Sequence, residues 1–360
     1  MTIFKKINDY IKISFQREKN EIAELHGIRA IAIILVVLHH SYLSYNIIDL
    51  TAFKTANYLA KFFFKILENG RIGVDIFFVL SGFLIGGQLL KEIKTTGSLN
   101  FKKFYLKRIL RIFPAYYVCL IIFIIFFNSN INFKQIISHI FYLQNYWLNI
   151  YEITWSLAVE EQFYLILPFL LFIFRKKLIT INLYVWLFFI ILISLPFCLR
   201  AIIFKQLPNI YDSNYIGIKI FSAFHTRFDQ LFIGVFIAFL YLQYKNIFLN
   251  KRIFYFLQFI LLGLFAILVY YSGMNGSFYK IVLQFSVIGL TIGCFILSTL
   301  SIKTFLNKIL NNNFFYFIAK ISYPMYLYHY FSICIIKKEK LLLTNIVLID
   351  FIIYLFIILF

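Results

Sequence analysis

The sequence predicts an all-α, polytopic integral membrane protein with about ten transmembrane helices. Hydrophobic residues make up 62% of its 360 residues and charged residues only 14%, and the mean hydropathy is +0.85. A soluble protein of this length could not cover so much apolar surface with polar groups. The apolar residues form continuous runs rather than alternating ten-residue segments, which predicts membrane helices and not a β-barrel.

Most of the apolar runs approach the roughly 20 residues that a helix needs to cross the hydrocarbon of a bilayer. Ten such spans are predicted, at 26–46, 73–92, 110–128, 156–174, 179–199, 224–243, 253–272, 279–300, 314–336 and 341–360. The apolar stretches 53–67 and 133–148 are interrupted by Lys and His side chains. We therefore expect these two stretches to be interfacial or re-entrant segments.

Two regions are expected along the chain. Residues 1–24 are a mixed-charge cytoplasmic tail, which we expect to lie on the membrane as an amphipathic helix. Residues 25–360 form the membrane domain with its ten spans. No small-residue cleavage site follows the first span, so no removable signal peptide is expected.

The distribution of Lys and Arg predicts the orientation in the membrane. With the tail inside, the predicted cytoplasmic segments hold 20 of these residues and the predicted outer segments hold 11. Basic residues are enriched on the cytoplasmic side of membrane proteins. The N-terminus is therefore predicted inside, and an even number of spans places the C-terminus inside as well. Because the basic residues lie between apolar runs, the net charge of +20 does not indicate nucleic-acid binding.

The four cysteines are scattered singly in apolar runs, with no metal-ligand spacing, and are expected to be inert thiols. No metal site is therefore predicted.

The first predicted span, 26–46, contains a stripe of ionisable residues. Arg29 and His40 are separated by eleven positions, which is three full turns plus about 20°, so they share one helix face about 16 Å apart along the axis. An ionisable side chain inside a span costs a few kcal/mol or more. The stripe therefore favours a functional site on this helix.

Two further arginines are predicted at the same inner depth as Arg29. Arg108 and Arg111 open the third span and are neighbours at i, i+3. They are either membrane anchors or a phosphate cradle, which the planar guanidinium group suits well.

The outer half of the predicted bundle contains ionisable residues from five helices. These residues are His40, Asp75, Glu160, Glu161, Arg227, Asp229 and His329. We expect Arg227 and Asp229 to form ion pairs with other charges. A histidine beside a carboxylate can act as a general base toward a hydroxyl, so Asp75 and Glu160 are candidates for orienting His40. The pattern suggests an anionic donor that enters from inside and an acceptor reached from outside.

These residues occur in motifs that resemble the acyltransferase-3 family of integral membrane acyltransferases, which acetylate cell-surface sugars. The resemblance covers about residues 20–336. Its motifs, in the family's order, are Arg29-x10-His40, Gly73-Val-Asp-Ile-Phe-Phe-Val-Leu-Ser-Gly-Phe83, Arg108-Ile-Leu-Arg111 with Pro114, Trp155-Ser-Leu-Ala-Val-Glu160, Arg227-Phe-Asp229 and Ile321-Ser-Tyr-Pro-Met-Tyr-Leu-Tyr-His329. The chain departs from the family pattern at His26, where Asp is common, and at His39, where an apolar residue is usual.

The resemblance implies acyl transfer from a coenzyme-A thioester, usually acetyl-CoA, to a carbohydrate hydroxyl across a bacterial cytoplasmic (inner) membrane. His40 would be the essential catalytic residue, and Arg29 its signature partner. Arg108 and Arg111 would meet the CoA, and all three arginines are candidates for holding its phosphates. Lipopolysaccharide, capsule, peptidoglycan, exopolysaccharide or a small glycoside could be the acceptor.

Two other function classes are left open by the residues alone. Buried Arg, His, Asp and Glu also mark the pathways of transporters, so a flippase of a glycan or acyl carrier is the main alternative. Such a protein would more often show inverted repeats and broken helices, which the sequence lacks. A membrane scaffold without enzymatic activity would not need the stripe that contains His40.

Overall fold

The computed structural model describes residues 21–45, 58–127, 131–147, 150–179, 182–207, 216–248, 252–272 and 277–338. Within these ranges the chain is helical and contains no β-strand, which confirms the predicted all-α class. Its α-helices are α1 (Ala23–Tyr45), α2 (Tyr58–Glu68), α3 (Ile72–Thr96), α4 (Phe101–Phe127), α5 (Phe133–Ile140), α6 (Trp155–Leu178), α7 (Leu183–Lys205), α8 (Phe228–Phe248), α9 (Ile253–Tyr271), α10 (Gln284–Ser301), α11 (Phe305–Leu310) and α12 (Asn313–Lys338). Short 3₁₀ or π-helical turns precede α6, α8 and α10.

Seven helical segments of the described chain are long and apolar enough to cross a membrane. They correspond to the predicted spans that begin at 26, 73, 110, 156, 179, 253 and 279, and they confirm a multi-pass membrane protein. The predicted span 224–243 forms α8, whose apolar part is shorter, and 314–336 forms α12. The predicted tenth span, 341–360, and residues 1–20 of the tail lie outside the described residues.

The two interrupted apolar stretches form the short helices α2 and α5. With 11 and 8 residues they are about 16 Å and 12 Å long, too short to cross about 30 Å of hydrocarbon. A capping box fixes the start of α5, because the Asn132 side chain accepts from the Lys134 N–H and Gln135 accepts from the Asn132 N–H.

The centre of the bundle is α3, which packs most extensively against α8 and also contacts α1, α6 and α10. The backbones of α3 and α8 approach closely where Gly82 faces Gly234, and a Cβ on Gly82 would collide with the Leu231 carbonyl. Small residues permit such close crossings of membrane helices. Helices α4, α7 and α9 lie at the periphery, because less than a third of the residues in their apolar segments are buried, which leaves a surface for lipid contact.

Helix α1 lies between α3 and α12. This position joins the first and last described helices of the chain, and it brings the Arg29–His40 stripe beside residues that are almost 300 positions away.

Candidate active site

A cavity of about 630 Å³ opens between α1, α3, α4, α6 and α12. Arg29, Arg108 and Arg111 all line it, so the structure brings together the three arginines that the sequence placed at one depth. The cavity is within the usual size range of small-molecule sites. The acids Glu21, Glu160 and Glu161 line it as well, so with Lys320 the cavity has four basic and three acidic side chains among the described residues.

The arginines have other charges and aromatic rings as neighbours. Arg29 lies close enough to Arg108, Arg111 and Glu160 to interact with their charges. The Arg108 guanidinium lies 5.8 Å from the ring centroid of Tyr164, and its Nε is buried without a hydrogen-bond partner among the described residues. Clustered guanidinium groups with a spare donor are suited to an anion such as phosphate.

Glu160 lies within this cavity and contacts a second helix. Its carboxylate accepts a hydrogen bond of 2.8 Å from the Ser81 hydroxyl, and Ser81 lies 2.8 Å from the Tyr164 hydroxyl. These contacts join α3 to α6 beside the arginines.

The cavity is connected to the histidines through α12, although neither His40 nor His329 is among the described residues that line it. Tyr326 lines the cavity and donates to the Ile153 carbonyl at 2.6 Å, while its hydroxyl lies 2.6 Å from that of Ser156. One turn further along α12, His329 is fully buried and its Nδ1 lies 2.8 Å from the Tyr326 carbonyl oxygen.

His40 and His329 form a hydrogen-bonded pair. The distance between His40 Nδ1 and His329 Nε2 is 3.1 Å, and the rings are tilted at 47° to each other. His40 Nδ1 also lies 3.0 Å from the Val36 carbonyl oxygen of its own helix.

These contacts assign the protons of the neutral pair. A carbonyl oxygen only accepts, so His329 Nδ1 must carry the hydrogen that it donates to Tyr326. The lone pair of His329 is then on Nε2, which accepts from Nδ1–H of His40. His40 Nε2 is left with a lone pair and has no hydrogen-bond partner among the described residues, so this atom can act as a base or a nucleophile.

The orienting partner of His40 differs from the expected carboxylates. In the part of the chain that the structure describes, neither hydrogen bond of His40 goes to a carboxylate. Glu160 faces Ser81 and the arginine-lined cavity, and Asp75 faces Arg227. The sequence could not show that a second histidine would occupy this position, although it identified His329 as an ionisable group at a similar depth.

Asp75 belongs to a separate buried network. Arg227 contacts Asp75 at 2.5 Å, and Gln230 donates to the same carboxylate oxygen at 2.9 Å. In a second pair, Arg200 contacts Asp229 at 2.8 Å, and both side chains are fully buried. Arg227 and Asp229 thus pair with other charges, as their sequence pattern indicated, and these pairs connect α3, α7 and α8.

His39 faces a different helix from His40. Its Nδ1 lies 3.1 Å from the carbonyl oxygen of Leu67 in α2. Successive helical residues point about 100° apart, which explains why the two neighbouring histidines meet different surroundings.

The chain is similar to several bacterial proteins. A family model described as an acyltransferase domain matches residues 22–360. One relative is a protein of Staphylococcus aureus (strain COL) that carries the provisional name of O-acetyltransferase. It is 30% identical to this chain over 338 residues, which cover 85% of this chain and 50% of that protein. The O-acetyltransferase OatA of Staphylococcus aureus (strain NCTC 8325 / PS 47) is 27% identical over 338 residues, which cover 85% of this chain and 49% of OatA.

The peptidoglycan O-acetyltransferase OatA of Listeria monocytogenes is 32% identical over 186 residues, which cover 46% of this chain and 26% of that protein. The chain therefore spans about half the length, or less, of the curated relatives that it matches. No solved structure shows a significant match.

Proposed function

Because this chain belongs to the acyltransferase-3 family, we propose that it is a membrane O-acetyltransferase that moves an acetyl group from cytoplasmic acetyl-CoA to a carbohydrate hydroxyl on the other side of the membrane. The observation that carries the proposal is the His40–His329 pair, which leaves a lone pair on His40 Nε2, on the same helix as Arg29 of the arginine-lined cavity. The orientation proposed from the distribution of Lys and Arg places the cavity's arginines on the cytoplasmic side.

The distance between the arginines and His40 supports acetyl-CoA as the donor. Arg29 and His40 lie about 16 Å apart along α1. Acyl-CoA has a long flexible arm between its phosphates and its thioester, so phosphates at Arg29, Arg108 and Arg111 are compatible with a thioester that extends toward His40. The spare Nε donor of Arg108 is consistent with an anionic ligand.

In the proposed reaction, His40 Nε2 removes the proton of the sugar hydroxyl as its oxygen attacks the thioester carbonyl. The C–O bond forms, the C–S bond breaks, and the leaving thiolate takes up a proton, so the products are an acetyl ester and CoA thiol. His329 and the Val36 carbonyl together hold the tautomer of His40 that has its lone pair on Nε2. The same lone pair could instead attack the thioester first, so that an acyl-histidine forms as the C–S bond breaks and CoA thiolate leaves. The sugar hydroxyl then attacks the acetyl carbonyl, the C–N bond to His40 breaks, and the hydroxyl proton neutralises the CoA thiolate.

The two carboxylates have separate proposed roles. Glu160 lies among the arginines, where its charge can position Arg29 at the phosphate end of the donor cavity. Asp75, first considered as an orienting group for His40, is better supported as the partner that keeps Arg227 compensated inside the bundle.

The acceptor is proposed to be a cell-surface carbohydrate of a bacterium. One relative is named for peptidoglycan, which makes peptidoglycan the first acceptor to test, ahead of lipopolysaccharide, capsule, exopolysaccharide and small glycosides. The test compares ester-linked acetate on each purified surface glycan, by mass spectrometry, in cells with and without this gene. Loss of acetate from one glycan, restored by the gene, is expected; unchanged acetate on all of them would contradict the proposal.

A transporter is less well supported by this arrangement. Two of the buried ion pairs, Arg227 with Asp75 and Arg200 with Asp229, are closed within the bundle. In each pair the arginine binds the aspartate, and none of these four side chains lines the cavity. A transport pathway would need ionisable groups that face a passage, and those that line the cavity are assigned here to the acyl donor.

A further inference from the structure

A charged cluster at the rim of the donor cavity is not used by the proposed chemistry. The Glu21 carboxylate lies 3.1 Å from Lys320 Nζ, accepts a hydrogen bond of 3.0 Å from the Tyr316 hydroxyl, and lies 3.4 Å from His26 Nε2. Glu21, His26 and Lys320 line the same cavity as the three arginines. Lys320 is therefore a fourth cation of the cavity, and a carboxylate neutralises it.

The ion pair between Glu21 and Lys320 is weak enough for Lys320 to leave it for a stronger anionic partner. Their side chains retain 22% and 27% of their exposure, and ion pairs that water reaches contribute little to stability. Burial alone would raise the pKa of Glu21, but hydrogen bonds from Lys320 and Tyr316 outweigh it and hold this pKa below its ordinary value. The carboxylate is thus charged at neutral pH and repels any anion that enters.

The cluster also lies between the two helices that contain the histidine pair. Glu21 lies two residues before the start of α1, and Lys320 lies about two turns into α12, nine residues before His329. Both residues are placed by the packing of α1 against α12.

We propose that Lys320 binds a phosphate group of the acyl donor, and that Glu21 holds Lys320 at the rim until the donor displaces the carboxylate. This inference rests on the proposed function, in that the donor is taken to be a phosphate-bearing acyl thioester. It gives Lys320 and Glu21 opposite effects on donor affinity, although they are partners in one ion pair.

The test measures the Kd of acetyl-CoA for the full-length protein in lipid nanodiscs at fixed ionic strength. Lys320→Met should weaken binding about tenfold or more, which is typical of one lost charge-assisted contact. Lys320→Arg should retain most of the affinity. Glu21→Gln should strengthen binding by roughly twofold or more, because it removes the competing carboxylate but keeps the shape of the side chain.

The matched control is the ion pair between Lys303 and Glu24, which joins the same end of α1 to the segment before α11 but does not line the cavity. Lys303→Met should change the Kd less than about twofold. If Lys320 and Glu21 only anchor the helices, Lys320→Met and Glu21→Gln would both lower thermal stability and shift the Kd in the same direction. That result would overturn the inference. If Lys320→Met does not fold, the Kd values of Glu21→Gln and Lys320→Arg still test it.

Arg111→Ala in the same assay separates this inference from the proposed function. If Arg111→Ala weakens binding but Lys320→Met and Glu21→Gln do not change it, only the role of Lys320 is wrong. If none of these variants changes the Kd, the donor does not bind in this cavity, and both proposals fail.

Discussion

Nδ1 of His40 lies 3.1 Å from Nε2 of His329, and the two residues come from the first and last described helices of the bundle. Because His329 is anchored to two carbonyl oxygens of its own helix, it can only accept from His40 when both rings are neutral. The Nδ1–H of His40, and with it the lone pair on Nε2, is thus held by the Val36 carbonyl of its own helix and by a residue that is 289 positions away in the sequence.

The first prediction concerns this positioning role of His329. His329→Leu removes one of the two acceptors of the His40 Nδ1–H and should lower kcat by at least about tenfold, since the Val36 carbonyl alone then has to hold the orientation of the His40 ring. The KM for acetyl-CoA should stay the same, because His329 does not line the donor cavity. His329→Gln should recover part of kcat, because its amide oxygen can accept from His40 while its amide N–H donates to the Tyr326 carbonyl.

Steady-state kinetics of the purified variants, with thermal stability measured alongside, would check this. Equal kcat in the wild type, His329→Leu and His329→Gln would exclude the positioning role. A fall in kcat that follows only the fraction of folded protein would also exclude it.

The second prediction concerns the buried ion pair of Asp75. Asp75→Asn leaves the Arg227 guanidinium without its charged partner, and breaking a buried pair in this way costs about 3–5 kcal/mol. We expect a large loss of thermal stability and little change in the rate per folded molecule. Asp229→Asn, which breaks the second pair with Arg200, is the matched control and should behave in the same way. A stable Asp75→Asn protein with a low kcat would instead support the orienting role that the sequence suggested.

The third prediction concerns the arginines of the cavity. Arg111→Ala should raise the KM for acetyl-CoA about 10- to 100-fold, the value of a lost charge-assisted contact. Arg111→Lys should restore affinity only in part, since an ammonium group cannot reproduce the planar fork of the guanidinium. Lys102→Ala on the same helix, outside the cavity, serves as the control. Unchanged donor affinity in a folded Arg111→Ala protein would assign this cluster to membrane anchoring.

The fourth prediction concerns the orientation in the membrane. The distribution of Lys and Arg places the segment between α3 and α4 inside and the segment after α7 outside. In a variant whose four native cysteines are replaced by alanine, Ser98→Cys should resist an impermeant thiol reagent added to intact cells, and Gln206→Cys should react. Labelling of Ser98→Cys alone would reverse the orientation and place the arginine cavity on the outer side.

Most of the helices could be predicted from the sequence because each depends on a local apolar run. The Arg29–His40 stripe was predictable for the same reason, since helical periodicity alone places the two side chains on one face. The pairing of His40 with His329 was not, because it depends on how α1 packs against α12.

Arg200 shows a related limit of sequence reasoning. The predicted span ended at residue 199, before this charge, whereas α7 continues to Lys205 and buries Arg200 completely. The charge is accommodated because Asp229 and Ser286 of other helices both contact its Nη2. A local hydropathy pattern contains no information about such distant partners, although an arginine next to a long apolar run is a signal worth testing.

The central claim is that His40 performs the chemistry and that its neighbour His39 does not. His39→Phe is a matched control, since its side chain faces α2 and an apolar residue should fit the position. The decisive measurement is the rate of transfer of labelled acetate from acetyl-CoA to the surface glycan, in membranes that contain equal amounts of each variant. We expect His40→Ala to abolish transfer and His39→Phe to retain most of it. Transfer by His40→Ala at a rate near that of the wild type would contradict the account.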